Sequence, residues 1–233
     1  MENKQQARVQ SSEAMRVGLL LALSGGFLDA YTYLVRGHVF ANAQTGNIVM
    51  LGVDVAQRNW LGIGHYLLPI LAFVVGVLLA ETIRGRGKAR PGGVLHWRQW
   101  VLLIELVILF AVGFMPAVEG WNTVANVCVS FVCAMQVQSF RKVHGKAYAT
   151  TMCTGNLRSG TELLLQYIRT RDRVQLKHMF NYYGVILFFI LGAALSALLS
   201  GTFGIRAIWL SCVVLVVVLK LLFAGEWETR GPV

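Results

Sequence analysis

Six apolar stretches of 18 or 19 residues divide this chain and constrain its fold more than any other feature. The hydrocarbon core of a bilayer is about 30 Å thick, so a helix needs about 20 mostly apolar residues to cross it. We therefore predict an all-α, polytopic membrane protein with six spanning helices. The predicted spans are residues 17–35, 66–83, 100–118, 122–140, 182–200 and 207–224.

Composition supports a membrane protein over a soluble one. Apolar residues make up 56% of the 233 residues and charged residues 14%, whereas soluble domains are about a quarter charged. The net charge of +10 is typical of nucleic-acid binding, but a mean hydropathy of +0.59 is not. We expect a lipid bilayer as the partner and no nucleic acid.

The triplet Thr-Gly-Asn occurs twice, at residues 45–47 and 154–156, with an offset of 109 residues. A Phe-x-x-Gly-x-x-x-small element follows each triplet, at residues 73–80 and 189–196. Each half is predicted to contain a long helix, a turn, a short TGN helix or re-entrant segment, and two further long helices. Similar elements in the same order indicate an ancient duplication.

Lys and Arg collect on the cytoplasmic side of membrane proteins, so their positions predict topology. If neither TGN segment crosses, 18 of the 21 basic residues fall inside, and Arg36, Arg58 and Arg206 fall outside. Eight spans would divide the basic residues about evenly, and a seven-span arrangement is a further alternative. Three spans per half make the repeats inverted, with both termini cytoplasmic.

The predicted parts are a cytoplasmic segment 1–16, one transmembrane domain 17–225 with repeats at about 17–118 and 122–225, and a cytoplasmic tail 226–233.

The TGN segments are the predicted site. Thr caps free N–H groups at a helix start, and Gly allows a sharp turn or a close approach to a ligand. Two helix N-termini meeting near mid-membrane would favour an anion or a polar solute. The alternative is that both triplets are tight packing turns. The predicted substrate-binding residues are Asp29, Thr45, Gly46, Asn47, Gln138, Thr154, Gly155 and Asn156.

Asp29 is the strongest single candidate for a functional residue, because placing a carboxylate inside a membrane helix costs at least about 2.5–3.5 kcal/mol. Its counterpart in the second half is Gln138, so an asymmetric site could bind a proton or cation at Asp29. Alternatively, Asp29 lies near the outer interface and hydrogen-bonds the following turn. Glu105 either extends towards Arg98 or another loop cation, or titrates as a coupling group.

Enzyme chemistry finds little support in this sequence. The five histidines lie near predicted helix ends without ligand spacing, and there is no nucleophile elbow or phosphate loop. The cysteines have no metal-ligand spacing and are expected to be buried, reduced thiols. We predict no enzyme activity, no metal and no cofactor. The cysteines are Cys128, Cys133, Cys153 and Cys212.

The runs SGGFLDAYTYL at 24–34, VFANAQTGNIV at 39–49 and TTMCTGNL at 150–157 resemble the YoaK family. The resemblance covers residues 15–225. It departs at 136–139, where the family pattern has Gln followed by Asn-Ala and this chain has Gln-Val-Gln-Ser. It implies a small bacterial inner-membrane protein built around a domain of unknown function, and it brings no substrate or reaction.

The leading hypothesis is a transporter or permease for a small polar or anionic solute, with its site at mid-membrane. The alternatives are a non-transporting scaffold that packs against partner proteins, and a passive channel. A homo-oligomer remains open for each of them.

Overall fold

The computed structural model describes residues 3–89, 96–140 and 153–230, and the side chains of 15–86, 96–140 and 153–224. These residues form helices and contain no strand, so the all-α prediction is confirmed for them. The helices are α1 (Asn3–Val35), α2 (Gln44–Gln57), α3 (Trp60–Ala89), α4 (Trp97–Val112), α5 (Glu119–Ser139), α6 (Cys153–Thr170), α7 (Arg173–Phe203), a 3-10 helix (Gly204–Ile208) and α8 (Trp209–Arg230). Outside the described residues lie Arg90, Arg141, Lys142 and Lys146 of the charge count, residues 150–152 of the second motif and 231–233 of the tail.

Three stretches of the described chain are long and apolar enough to cross a membrane: Met15–Val35, Trp60–Arg86 and Arg173–Ala224. The third covers 52 residues and includes two of the predicted spans. Gly204 interrupts it with a φ of +54°, a backbone conformation that favours glycine. The predicted spans at 100–118 and 122–140 form the helices α4 and α5, which do not meet the same criterion. Four of the six predicted spans therefore fall within stretches able to cross.

Helix packing pairs elements from the two halves of the sequence. Helix α1 packs along α7, and α3 packs along α5. Each short TGN helix lies on the long helix that follows it, α2 on α3 and α6 on α7. Helix α4 contacts α5 and α8, and α8 contacts α1. The core therefore depends on contacts between residues far apart in sequence.

Glycines set the closeness of the two main helix pairs. A Cβ on Gly192 of α7 would overlap the carbonyl oxygen of Leu23 on α1. A Cβ on Gly76 of α3 would overlap the carbonyl oxygen of Phe131 on α5. Both glycines belong to the Phe-x-x-Gly elements of the sequence. Small residues at these positions let the two backbones approach closely, which is how helices associate without a hydrophobic driving force between them.

The helices α1, α4, α5 and α8 supply the buried apolar core, with wholly buried side chains such as Leu21, Leu109, Val132 and Val218. Two thirds of the apolar stretch of α1 is buried, against 22% for that of α3. Helix α3 instead presents exposed apolar residues, such as Leu78. An apolar outer surface is what contact with lipid requires, because lipid tails do not penalise exposed Leu or Val.

Candidate functional site

Asp29 lies in the last two turns of α1 with 4% of its surface exposed. Its Oδ1 accepts hydrogen bonds from the backbone N–H groups of Asn42 at 2.6 Å and Ala43 at 3.4 Å. Ala43 is the N-cap residue of α2. Asp29 therefore bonds the turn that follows α1, as one of the two sequence interpretations expected. Its Oδ2, however, finds no hydrogen-bond partner in the described part of the chain.

Asn42 places a second unpaired acceptor beside this carboxylate. Its Nδ2 donates to the Gly25 carbonyl at 3.2 Å, which ties the turn back to α1. Its Oδ1 is buried and, like Asp29 Oδ2, lacks a donor among the described residues. Buried oxygens without donors are costly, about 1–3 kcal/mol each, and so call for a specific explanation. Asn42 stands three residues before the triplet, and this proximity was the only signal of its role in the sequence.

In the first TGN triplet, Asn47 is wholly buried and Thr45 is exposed. Thr45 is the second residue of α2, and the N-cap residue Ala43 makes no side-chain cap. The prediction that Thr45 caps the helix is therefore wrong; Asp29 of α1 receives the Ala43 N–H instead. Gly46 is needed for packing, because a Cβ there would come within 2.8 Å of the Phe40 ring.

The second triplet repeats this arrangement of exposed and buried positions. Thr154 and Gly155 are exposed, and Asn156 has 2% of its surface exposed. Thr154 is the second residue of α6, as Thr45 is of α2. Unlike Gly46, Gly155 has no atom of the described residues within 4 Å of an added Cβ, so none of them requires glycine there.

The two TGN helices do not pack against each other within the described ranges. Asp29 bonds only the start of the first of them, because its Oδ1 receives the N–H groups that precede α2. Helix α6 packs on α7 and, among the described residues, makes no contact with α1.

Gln138 lies elsewhere. It is half-buried at the end of α5, and its Nε2 donates to Glu81 Oε1 on α3. Glu81 also pairs with Arg84 at 2.9 Å. The hydrogen bond of Gln138 is thus to a surface ion pair and not to Asp29, and a role of Gln138 in solute binding stays a prediction.

Glu105 is wholly buried in α4. Its Oε1 accepts from Gln136 Nε2 of α5 at 3.0 Å. The alternative in which Glu105 extends towards Arg98 is wrong, because Arg98 donates instead to the Ser139 carbonyl at 3.1 Å. Glu105 therefore joins α4 to α5 through a buried hydrogen bond.

Arg36, which the sequence marked only as an outer charge, is the largest wholly buried side chain among the described residues. Its Nη2 donates at 3.0 Å to the carbonyls of Val112, the last residue of α4, and of Met115, just beyond it. Its other donors reach Tyr31, Pro116 and Asn122. A guanidinium suits this position because its five donors can satisfy carbonyls freed at a helix C-terminus. The position of Arg36 at the end of an apolar stretch was the available signal.

Metal-ligand clusters were not expected from the sequence. No group of three or more His, Cys, Asp or Glu residues suited to a metal occurs in the part of the chain that the structure describes.

These features define an all-helical membrane protein with a buried polar interior. A family described as "Protein of unknown function (DUF1275)" matches residues 17–221, and the chain belongs to this family. The chain is also similar to the UPF0700 transmembrane protein YoaK of Bacillus subtilis (strain 168), with 25% identity over 217 residues. That match covers 89% of this chain and 94% of the relative. The resemblance drawn from the sequence is thus confirmed. No solved structure matches this chain.

Proposed function

We propose that this protein is a transporter of a small polar or anionic solute in the bacterial inner membrane. In this proposal six helices cross, the two halves are inverted repeats, and both termini are cytoplasmic. The proposed transport site is made up of Asp29 and the starts of α2 and α6. The protein carries out no enzymatic reaction on the solute.

The packing pattern supports the inverted repeats. Exchanging the halves converts the α1–α7 pair into α5–α3, α2–α3 into α6–α7, and α4–α5 into α8–α1, and all six contacts are present. Two repeats related by a two-fold axis produce this pattern. The glycines of the α1–α7 and α3–α5 contacts, Gly192 and Gly76, occupy equivalent positions in the two Phe-x-x-Gly elements.

The unpaired Oδ2 of Asp29 is the observation that carries the transport proposal. Oδ1 already receives the N–H groups ahead of α2, so Oδ2 is available to a second ligand. Ionisable groups at membrane depth mark substrate and ion pathways, because their cost is justified only by function. Protonation of Asp29 would remove the charge that balances the two helix starts. The partial positive charges of both N-termini would then favour an anionic solute.

Each triplet divides its roles between exposed and buried residues. Asn47 and Asn156 are buried, so we assign them to holding the helix starts in place. Thr45 and Thr154 are exposed at the first turn of α2 and α6, so their hydroxyls are free to contact a solute. This division predicts that Thr substitutions change solute affinity, whereas Asn substitutions change stability.

Reconstituted protein tests this proposal directly. Charge movement would be recorded on proteoliposomes adsorbed to a solid support, with chloride, phosphate, acetate and lactate as probes. We expect a saturable, pH-dependent signal for at least one probe that is lost in Asp29→Asn. Asp54→Asn is the matched control, because Asp54 is also a buried aspartate but is already paired with Asn59.

Three outcomes separate the functional classes. A saturable signal that depends on Asp29 supports a transporter. A signal that grows linearly with concentration and survives Asp29→Asn indicates a passive channel and contradicts the proposal. Silence with all probes, together with co-purification of a partner protein, indicates a scaffold and also contradicts it.

A further inference from the structure

A second unpaired carboxylate lies in the core of the protein, away from the TGN segments. Glu105 of α4 and Gln136 of α5 are both wholly buried and joined by one hydrogen bond, Gln136 Nε2 to Glu105 Oε1, at 3.0 Å. The other oxygen of each group, Glu105 Oε2 and Gln136 Oε1, has no donor among the described residues. Two acceptors without donors thus sit on two side chains that are already bonded to each other.

No cation compensates Glu105 in the described part of the chain. The ion pairs there are Glu81–Arg84 and Arg158–Glu162, both on exposed side chains. Of the helices packed against α4, α5 brings the thiol of Cys133, and α8 that of Cys212, into the field of Glu105. Both groups are neutral as thiols. An ionised Glu105 would therefore be an unpaired charge in a dry interior, which costs far more than any hydrogen bond returns.

The other neighbours of α4 are apolar or already bonded. Helix α3 packs Ala80 and Ile83 against it, and the 3-10 helix packs Ala207 and Ile208 into the same core. The charged groups on or near α4 are engaged elsewhere: Arg98 with the Ser139 carbonyl, and Arg36 with carbonyls at the opposite end of the helix.

We propose that Glu105 and Gln136 form a proton-binding site. The proton resides on Glu105 Oε2, which then donates to Gln136 Oε1, while Gln136 Nε2 donates to Glu105 Oε1. A protonated carboxyl has one O–H donor and an acceptor, and a primary amide has both as well, so the two groups close a ring of two hydrogen bonds. One proton satisfies both unpaired oxygens and removes the buried charge. Binding adds H⁺ to the carboxylate and breaks no bond.

This site is separate from the solute site proposed above and does not depend on it. It would hold a proton in a channel, in a scaffold or in a transporter. In a transporter it adds a second buried carboxyl to Asp29. Release of the proton would require water or a base to reach the core, so proton exchange would accompany opening of the α4–α5 contact.

Infrared spectroscopy of the purified protein in lipid bilayers tests this inference. At neutral pH we expect the carbonyl stretch of a protonated carboxylic acid, at a frequency that indicates hydrogen bonding. Glu105→Gln should reduce this band to background if Asp29 is ionised, or by about half if Asp29 is also protonated. Glu81→Gln, on an exposed glutamate, should leave the band unchanged.

A second variant tests the ring itself. Gln136→Leu removes the partner and should move the band to the higher frequency of a carboxyl with fewer hydrogen bonds. Glu105→Gln should fold, because two amides can form the same pair of hydrogen bonds. A band that is absent from the wild type, or that survives Glu105→Gln at full intensity, would overturn the proposal. Stabilisation of the wild type by sodium at constant pH, lost in Glu105→Gln, would replace the proton with a metal cation.

Discussion

The Asn47 side chain pairs with both backbone polar groups of Phe40. Its Oδ1 accepts the Phe40 N–H at 3.0 Å, and its Nδ2 donates to the Phe40 carbonyl at 2.6 Å. The turn after α1 is therefore held from two sides, by Asp29 on its Asn42 N–H and by Asn47 on Phe40. The Asn47 side chain thus makes the same pair of hydrogen bonds to Phe40 that a neighbouring strand would make.

Asn47→Ala should destabilise the protein by about 2–4 kcal/mol, because it leaves both Phe40 groups without their partner, at about 1–2 kcal/mol each for a half-buried residue. Thermal unfolding in detergent, followed by intrinsic fluorescence, measures this loss. Thr45→Ala, two residues away and exposed, should unfold like the wild type. Equal losses in the two variants would mean that Thr45 does cap the helix.

Arg36→Lys should cost about 2–4 kcal/mol although it conserves the charge. A lysine has three donors on one nitrogen and cannot match the five-donor planar group that bonds Tyr31, Asn122 and the carbonyls at the end of α4. Arg206→Lys is the control, because Arg206 is exposed in the 3-10 helix. The same unfolding assay applies. Similar midpoints for the two variants would show that only the charge of Arg36 matters.

Gly192→Ala and Gly76→Ala should each reduce stability by about 1–3 kcal/mol, the usual cost of overpacking. In both cases the new Cβ meets a backbone carbonyl oxygen, which cannot turn aside as a side chain can. Gly201→Ala on α7 and Gly85→Ala on α3 are matched controls, because no atom of the described part of the chain lies within 4 Å of a Cβ there. Both controls should be neutral or slightly stabilising, since Ala favours helix. An equally large loss of stability in the controls would mean that the backbone freedom of glycine, and not close helix packing, is what these positions require.

Impermeant thiol labelling should distinguish the proposed topology. In a Cys128→Ser, Cys153→Ser background, Arg206→Cys should be labelled in intact spheroplasts. Arg90→Cys and Arg173→Cys should be labelled only after lysis, because the charge distribution places them inside. Labelling of Arg173→Cys from outside would contradict six spans with cytoplasmic termini.

The sequence was sufficient to predict the helices, but not which face of each helix is buried in the core. Hydropathy over about 20 residues located α1, α3, α7 and α8, because a helix that crosses the hydrocarbon core needs an apolar run of that length. It did not indicate whether Glu105 faces a basic loop or the core. That depends on the rotation of α4 against α5, which is set by packing between residues far apart in sequence.

The sequence likewise identified Asp29 as a candidate site residue but did not predict its hydrogen bonds. Its cost at membrane depth made it a candidate from the sequence alone. That Oδ1 would be bonded and Oδ2 unpaired depends on the path of residues 37–43, which no periodicity describes. Thr45 was misjudged because the helix begins one residue earlier than the triplet, and boundaries are the least certain part of any helix assignment.

The wholly buried thiol of Cys133 gives the wild-type protein a native spectroscopic probe of its core. The frequency of a thiol S–H vibration shifts with the local electric field, and it falls in a spectral window where other protein groups do not absorb. Cys133 lies three residues before Gln136 on α5, so we expect a change of charge at Glu105 to shift this frequency. A native chain, without label or substitution, can therefore report a change of charge in its own interior.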